Sequence, residues 1–227
     1  MLSIVPTPVG NLSDMTERAL RVLKEARAVY CEDTRRTRNL MSHFGLSTPL
    51  LRYQEHDSRD AERLVERLKA GEDLALVCDG GMPGLSDPGR RAVALARRNG
   101  LSVTALPGPC AAVAALAGSG LPGDSFVFLG FLPRSAGKQR RALQEAAALD
   151  KTIIIYESPF RVVDMLAEAQ GVLGPKAQCC LVRELSKIHE EWLNGTIENV
   201  RTTLAGRKEH LGEHIVLLHP REDPENG

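Results

Sequence analysis

The chain has 227 residues, 43% of them hydrophobic and 26% charged, with 20 glycines. These are globular values for one large domain or two small ones, and they exclude disordered, collagen-like and coiled-coil classes. Twenty-nine basic residues balance 29 acidic ones, so any polyanionic partner must meet a local basic patch rather than a net field. The first run, Leu2 to Val5, reads as a strand. Asp14 followed by Glu17 forms a capping pair, and Ala19, Leu20, Val22, Leu23 and Ala26 give the stripe of a first helix. Ala28 to Cys31 is a second strand. Ser58 opens a helix with Ala61, Leu64, Val65 and Leu68 on one face, and Leu74 to Cys78 is the strand after it. Arg90 to Arg98 reads as a helix ended by Asn99-Gly100, and Leu101 to Leu106 as a strand.

Beyond Pro107-Gly108-Pro109 the alternation restarts. An alanine-rich helix from Cys110 to Ala117, a strand Phe126 to Phe131, a helix from Lys138 to Ala148 and a β-branched strand Lys151 to Tyr156 follow in order. Ser158-Pro159 suits an N-cap with proline at the first helical position, opening a helix to about Gln170. Ala177 to Val182 and Ile215 to Leu218 are further strands. Between them Asn194-Gly195 signals a tight hairpin turn, which makes the second sheet mixed rather than purely parallel. Alternating strands and helices predict α/β architecture, with domains at 1–108 and 109–220 and a polar tail at 221–227.

Neither an export signal nor a run approaching about 18 apolar residues is present, so a cytoplasmic protein without a membrane contact is expected. Cys31, Cys78, Cys110, Cys179 and Cys180 lack zinc spacing and read mostly as small core residues. His210 and His214 stand four apart, but Gly212 between them spoils a helical metal face, and no metal site is expected. Gly118 to Gly123 fits G-x-G-x-x-G in the wrong context, after a helix and before a strand.

Ligands of open α/β sheets collect at the carboxyl ends of strands. Five such segments, in four sets, are unusual. Pro6-Thr7-Pro8-Val9-Gly10-Asn11 is either a rigid turn or a wall against a ligand. Asp79 to Gly89 holds four glycines and two prolines where a plain connection uses about two to six residues. Leu106-Pro107-Gly108-Pro109-Cys110-Ala111 turns sharply into a helix N-terminus. Tyr156-Glu157-Ser158-Pro159 and Arg183-Glu184-Leu185-Ser186-Lys187 place charges beyond apolar strands, as a salt-bridged rim or as a functional cluster.

These segments, with Glu32-Asp33-Thr34-Arg35 and Gly130-Phe131-Leu132-Pro133, stand in the order and spacing of the ribosomal RNA small subunit methyltransferase I family, within the tetrapyrrole methylase superfamily. The resemblance covers about Leu2 to His219. This sequence differs from the usual family pattern at Gly80, Met82, Cys110, Phe160 and Ser186. The resemblance implies two α/β domains with S-adenosylmethionine in the cleft between them, a homodimer, and 2′-O-methylation of a cytidine ribose in 16S ribosomal RNA or the small ribosomal subunit. It also implies cofactor contacts at Thr7, Pro8, Asp79, Gly81, Met82, Cys110, Ala111, Tyr156, Leu185, Glu213 and His214. Asp33, Glu184 and Lys187 are the candidates for moving the acceptor proton. Arg35, Arg36, Arg134, Lys138 and Arg183 are the expected substrate contacts, the local patches that net charge does not supply. Two other readings are a small-molecule methyltransferase of the same fold, which needs an apolar cleft, and a non-catalytic ligand-binding module, which has no use for the Arg183 to Lys187 cluster.

Overall fold

The computed structural model describes residues 1–209 and 211–222. His210, one of the two histidines weighed for metal binding, and residues 223–227, most of the polar tail, lie outside the described residues. The chain forms two compact units, Met1–Cys110 and Ala111–Gly227. Among the described residues no helix is long and apolar enough to cross a membrane.

The first unit runs β1 (Leu2–Ile4), α1 (Glu17–Glu25), β2 (Ala28–Cys31), α2 (Thr34–His43), β3 (Leu50–Arg52), α3 (Ser58–Lys69), β4 (Leu74–Leu76), α4 (Arg90–Arg98) and β5 (Val103–Ala105). Its sheet is parallel throughout, in the order β3-β2-β4-β1-β5. The central strands are apolar at successive positions because both faces are covered. Leu2, Ile4, Tyr30 and Leu76 pack with Leu64, Val65, Ala92 and Ala96 of α3 and α4. Val5, Val29, Cys31 and Ala75 pack with Ala19, Leu23 and Met41 of α1 and α2 on the opposite face. From β1 the chain crosses to β2, beyond β4, whereas from β4 it crosses to β5, beyond β1. The exits of β1 and β4 therefore diverge at a topological switch point, where α/β sheets open a crevice.

The second unit runs α5 (Ala111–Ser119), β6 (Phe126–Phe131), α6 (Ala136–Ala147), β7 (Thr152–Glu157), α7 (Val162–Leu173), β8 (Gln178–Arg183), β9 (Glu191–Thr196), α8 (Ile197–Ala205) and β10 (His214–His219). The sheet order is β6-β7-β10-β8-β9. Only β6 and β7 pair in parallel; β10 runs antiparallel to β7 and β8, and β8 to β9. The expected mixed sheet is present. One face carries a core of Ile153, Ile155, Leu181 and Val216 against Leu143, Met165, Leu166 and Val200 of α6, α7 and α8. Helix α5 packs on β7 and β10.

Four local expectations are corrected. The first helix is capped by Thr16, whose side chain accepts the Ala19 amide at 3.1 Å, because Leu12–Asp14 already form a 3₁₀ turn capped by Asn11. Helix α2 and strand β3 were not anticipated. Asn194-Gly195 is not a turn: both residues pair with Cys180 and Cys179 inside β9. The reversal falls instead at residues 184–190, where Glu184 and Ser186 take φ of 53° and 64°. Trp192 supplies the reason, since its ring is stacked against Gly118, where a Cβ would lie 2.5 Å from it, and packing overrides the local turn preference. Finally, Ser158 does not cap α7. Residues 158–161 form a turn closed by the Arg161 and Val162 amides donating to the Ser158 carbonyl, and the Ser158 amide is taken by the Glu157 carboxylate at 2.8 Å.

Four of the five cysteines are buried and all five are free, with Cys110 half-buried. Burial pushes the Cys78 thiol up to about 12, which makes it a core residue in chemistry as well as in packing.

Candidate functional site

In the first unit the sequence-predicted residues cluster at the switch point. Thr7 and Gly81 exchange backbone hydrogen bonds at 2.9 Å in both directions, tying the exit of β1 to the loop after β4. The Thr7 hydroxyl donates to the Cys78 carbonyl at 3.1 Å, so this buried threonine staples the two exits together. Gly81 has a φ of 89°, a conformation side chains resist, and a Cβ at Gly80 would come within 3.3 Å of the Pro8 carbonyl oxygen. Met82 is half-buried and packs against the core shared with α3 and α4.

Asp79 keeps 27% of its side chain exposed and lies 3.3 Å from the Arg36 guanidinium. Asp33 accepts the amides of Arg35 and Arg36 at 2.8 and 3.2 Å and so caps α2. Those two amides, with the neighbouring guanidinium groups, hold its carboxyl below the usual range. Arg35, Arg36 and Arg38 are exposed on α2, while Thr37 turns inward. The switch point thus carries a basic helix face beside a carboxylate and a tightly tied pair of loops.

In the second unit, α5 begins with the half-buried Ala111 and the buried Ala112. The Tyr156 hydroxyl at the end of β7 accepts the Ala112 amide at 3.0 Å, satisfying one of the free donors of that helix start. Phe128 and Phe131 make edge contacts with Tyr156, with ring centroids 5.0 and 5.7 Å away.

A second cluster forms where β8 ends and β10 begins. Lys187 donates to Glu184 at 2.8 Å and to Glu213 at 3.0 Å, and the Glu213 amide donates to Glu184 at 2.8 Å. Burial favours a neutral Lys187, but the two carboxylates override it and raise its pKa above the usual lysine value. The Lys187 ammonium in turn holds Glu184 below the usual carboxylate range. His214 is buried opposite Glu157 and Arg183 in register. Leu185 lies half-buried in the turn that joins β8 to β9. Arg183 belongs to another set: with Arg207 it holds Glu191, at 3.0 Å and 2.6 Å respectively. Arg134 and Lys138 are exposed before and on α6, whereas Arg140 and Arg141 of the same basic run pair with Glu168 and Glu145.

Residues 1–201 match the family described as Tetrapyrrole (Corrin/Porphyrin) Methylases. The chain belongs to the tetrapyrrole methylase family. A relative from Pseudomonas aeruginosa, named ribosomal RNA small subunit methyltransferase I, is 42% identical over 226 residues, covering 99% of this chain and 80% of the relative. One of the same name from Halalkalibacterium halodurans is 46% identical over 198 residues, 87% of this chain and 68% of the relative. The fold is shared with diphthine synthase, at a TM-score of 0.73 and 16% identity over 98% of this chain and 91% of that one. It is shared also with a Thermus thermophilus uroporphyrin-III C-methyltransferase complexed with S-adenyl homocysteine, at a TM-score of 0.65 and 21% identity over 95% and 96%.

Several residues that organise these loops are not marked in the sequence. The Glu55 carboxylate, just past β3, accepts the amides of Gly89 and Arg91 at 2.8 and 2.9 Å, and the Tyr53 hydroxyl accepts the Ala92 amide at 3.2 Å. The start of α4, directly after the glycine-rich loop, is thereby already occupied. Burial, then Glu55, pushes the Tyr53 hydroxyl well above the ordinary tyrosine range. Gly108 admits the Pro6 ring, whose Cγ would lie 2.5 Å from any Cβ there, and Gly212 admits the Glu184 side chain at the same distance. No spacing rule marks either contact, because each joins residues far apart in sequence.

Proposed function

We propose that this tetrapyrrole methylase transfers a methyl group from S-adenosylmethionine to the 2′-oxygen of a cytidine ribose in 16S ribosomal RNA, as free RNA or within the small subunit. The single observation that carries the reading is the 42% identity to a ribosomal RNA small subunit methyltransferase I across 99% of the chain. The donor set agrees with it. Glu55 already accepts two of the amides at the start of α4, an anion where a phosphate would otherwise sit, and Asp79 adds a carboxylate beside the tied loops. Such groups suit a ligand bearing ribose hydroxyls and cationic sulfur and nitrogen.

In this reading Thr7, Pro8, Asp79, Gly81, Met82 and Cys110 from the first unit, and Ala111, Tyr156, Leu185, Glu213 and His214 from the second, hold the donor. When bound, it supplies an already activated methyl group. The chain's own task is mainly placement, since near-attack alignment is worth about 7–11 kcal/mol and a positioned base only about 10²- to 10⁴-fold. Lys187, held protonated, offers positive charge to the developing ribose oxyanion, and Glu184 is the neighbouring carboxylate able to take the proton. Asp33 completes the candidate set from its capping position. Arg35, Arg36, Arg134, Lys138 and Arg183 meet the RNA backbone.

The test is incubation of the full chain with methyl-labelled S-adenosylmethionine and small ribosomal subunits lacking the modification. Label in RNA, at a linkage that has become resistant to alkaline hydrolysis, is expected because a methylated 2′-oxygen cannot attack its phosphate. Label on a base, or none in RNA, overturns the reading.

A further inference from the structure

Outside the residues assigned to the donor, the second unit contains a cavity of about 590 Å³, within the range of ligand pockets. Phe131, Pro133, Arg134, Glu157, Phe160 and Arg161 line it. Its chemistry is unlike that of an ordinary surface dent. Phe160 is 88% exposed and Phe131 61%, in a chain with only 4% aromatic residues. The turn at residues 158–161, which replaces the expected helix start, is what holds Phe160 out in solvent.

Behind the aromatic walls Arg161 is fixed. One terminal nitrogen donates to the carbonyls of Leu132 and Pro133 at 3.1 and 3.2 Å. The same nitrogen lies 3.3 Å from Oε2 of Glu157, whose side chain is fully buried; that oxygen makes an ion pair without a hydrogen bond. Holding a guanidinium through one nitrogen leaves its other donors for a second partner. Arg134 at the rim is exposed, with no ion pair among the described residues. Phe131 also touches Tyr156, so the cavity adjoins a proposed donor contact.

We propose that this cavity seats one unpaired nucleotide of the RNA substrate, its base on Phe160 and Phe131 and its phosphate on Arg161 and Arg134. The inference rests on the RNA-methylating reading above and names how that substrate is gripped. Exposed aromatic faces beside a pre-set guanidinium suit splayed-out single-stranded bases, which stack on such side chains, whereas duplex RNA hides its bases. Positive charge at the rim selects a nucleic acid over an apolar peptide or a second copy of this chain.

The experiment measures fluorescence anisotropy of the full chain with a labelled oligocytidylate, single-stranded or annealed to its complement. Phe160→Ala is expected to weaken single-strand binding by about five- to hundredfold and to leave duplex binding unchanged. Phe160→Tyr should restore it. Arg134→Ala should reduce the salt dependence by about one phosphate contact. Phe160 is too exposed to endanger folding, and circular dichroism checks this. Undiminished single-strand affinity in Phe160→Ala overturns the proposal. So does equal loss on both strand forms, or a changed sedimentation coefficient, which would assign the aromatics to self-association. Labelling of subunit RNA decides the methyltransferase reading separately: transfer by the wild type together with full single-strand affinity in Phe160→Ala removes this cavity and leaves that reading standing.

Discussion

Gly118 sits in α5 where alanine is intrinsically preferred by about 1 kcal/mol, yet three Trp192 ring atoms stand within 3.2 Å of any Cβ there. The rigid ring makes the clash decisive. Gly118→Ala should destabilise by about 1–3 kcal/mol, and the penalty should fall in a Trp192→Leu background, read by urea unfolding of all four variants. Glu191 yields a prediction of another kind. Arg207 foremost, with Arg183, depresses its pKa to about 2. A depressed carboxyl stabilises fully above its unfolded pKa of about 4.3 and loses that contribution as pH falls through the folded value. The melting-temperature difference between wild type and Glu191→Gln should therefore be constant near neutrality and shrink between about pH 4.5 and 2. Thr7 and Asp79 stand out as candidates because their loops are conspicuous in the sequence. Glu55 does not, since nothing local to it announces that its carboxylate ends at the start of α4, 34 residues away.

Elements were readable where side-chain periodicity was strong and hidden where packing decided the outcome. Helices α3 and α4 carry apolar stripes that mark them in the sequence. Helix α2 escaped because Thr34–His43 is mostly basic or polar, burying only Thr37 and Met41. Strand β3 escaped because Leu50–Arg52 lies at the sheet edge, is only partly buried, ends in an exposed arginine and carries no β-branched residue. In β9 the Asn-Gly pair pointed to a turn, and tertiary contacts with Gly118 and β8 overruled it. Helix caps give an element-scale check. Thr196 accepts the Asn199 amide at 3.2 Å and begins α8, so Thr196→Ala should cost about 1 kcal/mol and Thr196→Ser little, measured by thermal unfolding.

The two units have separate cores, and each should respond to its own damage. Leu64→Ala in the first and Met165→Ala in the second should each cost about 2–5 kcal/mol, both side chains being fully buried. Native-state hydrogen exchange should show lost protection concentrated in the strands of the injured unit. Uniform loss over both would contradict that independence. The α/β class was accessible from the order of strands and helices; the mixed second sheet was reached through a hairpin signal at Asn194-Gly195 that in fact lies inside β9, and the direction of β10 required seeing it inserted next to β7 and β8. By lodging its own carboxylate at the mouth of α4, the protein has filled with an internal anion a helix start of the kind that attracts phosphate. ATP in large excess should consequently fail to displace labelled S-adenosylmethionine, and emptying that spot with Glu55→Ala should let nucleotide competition appear.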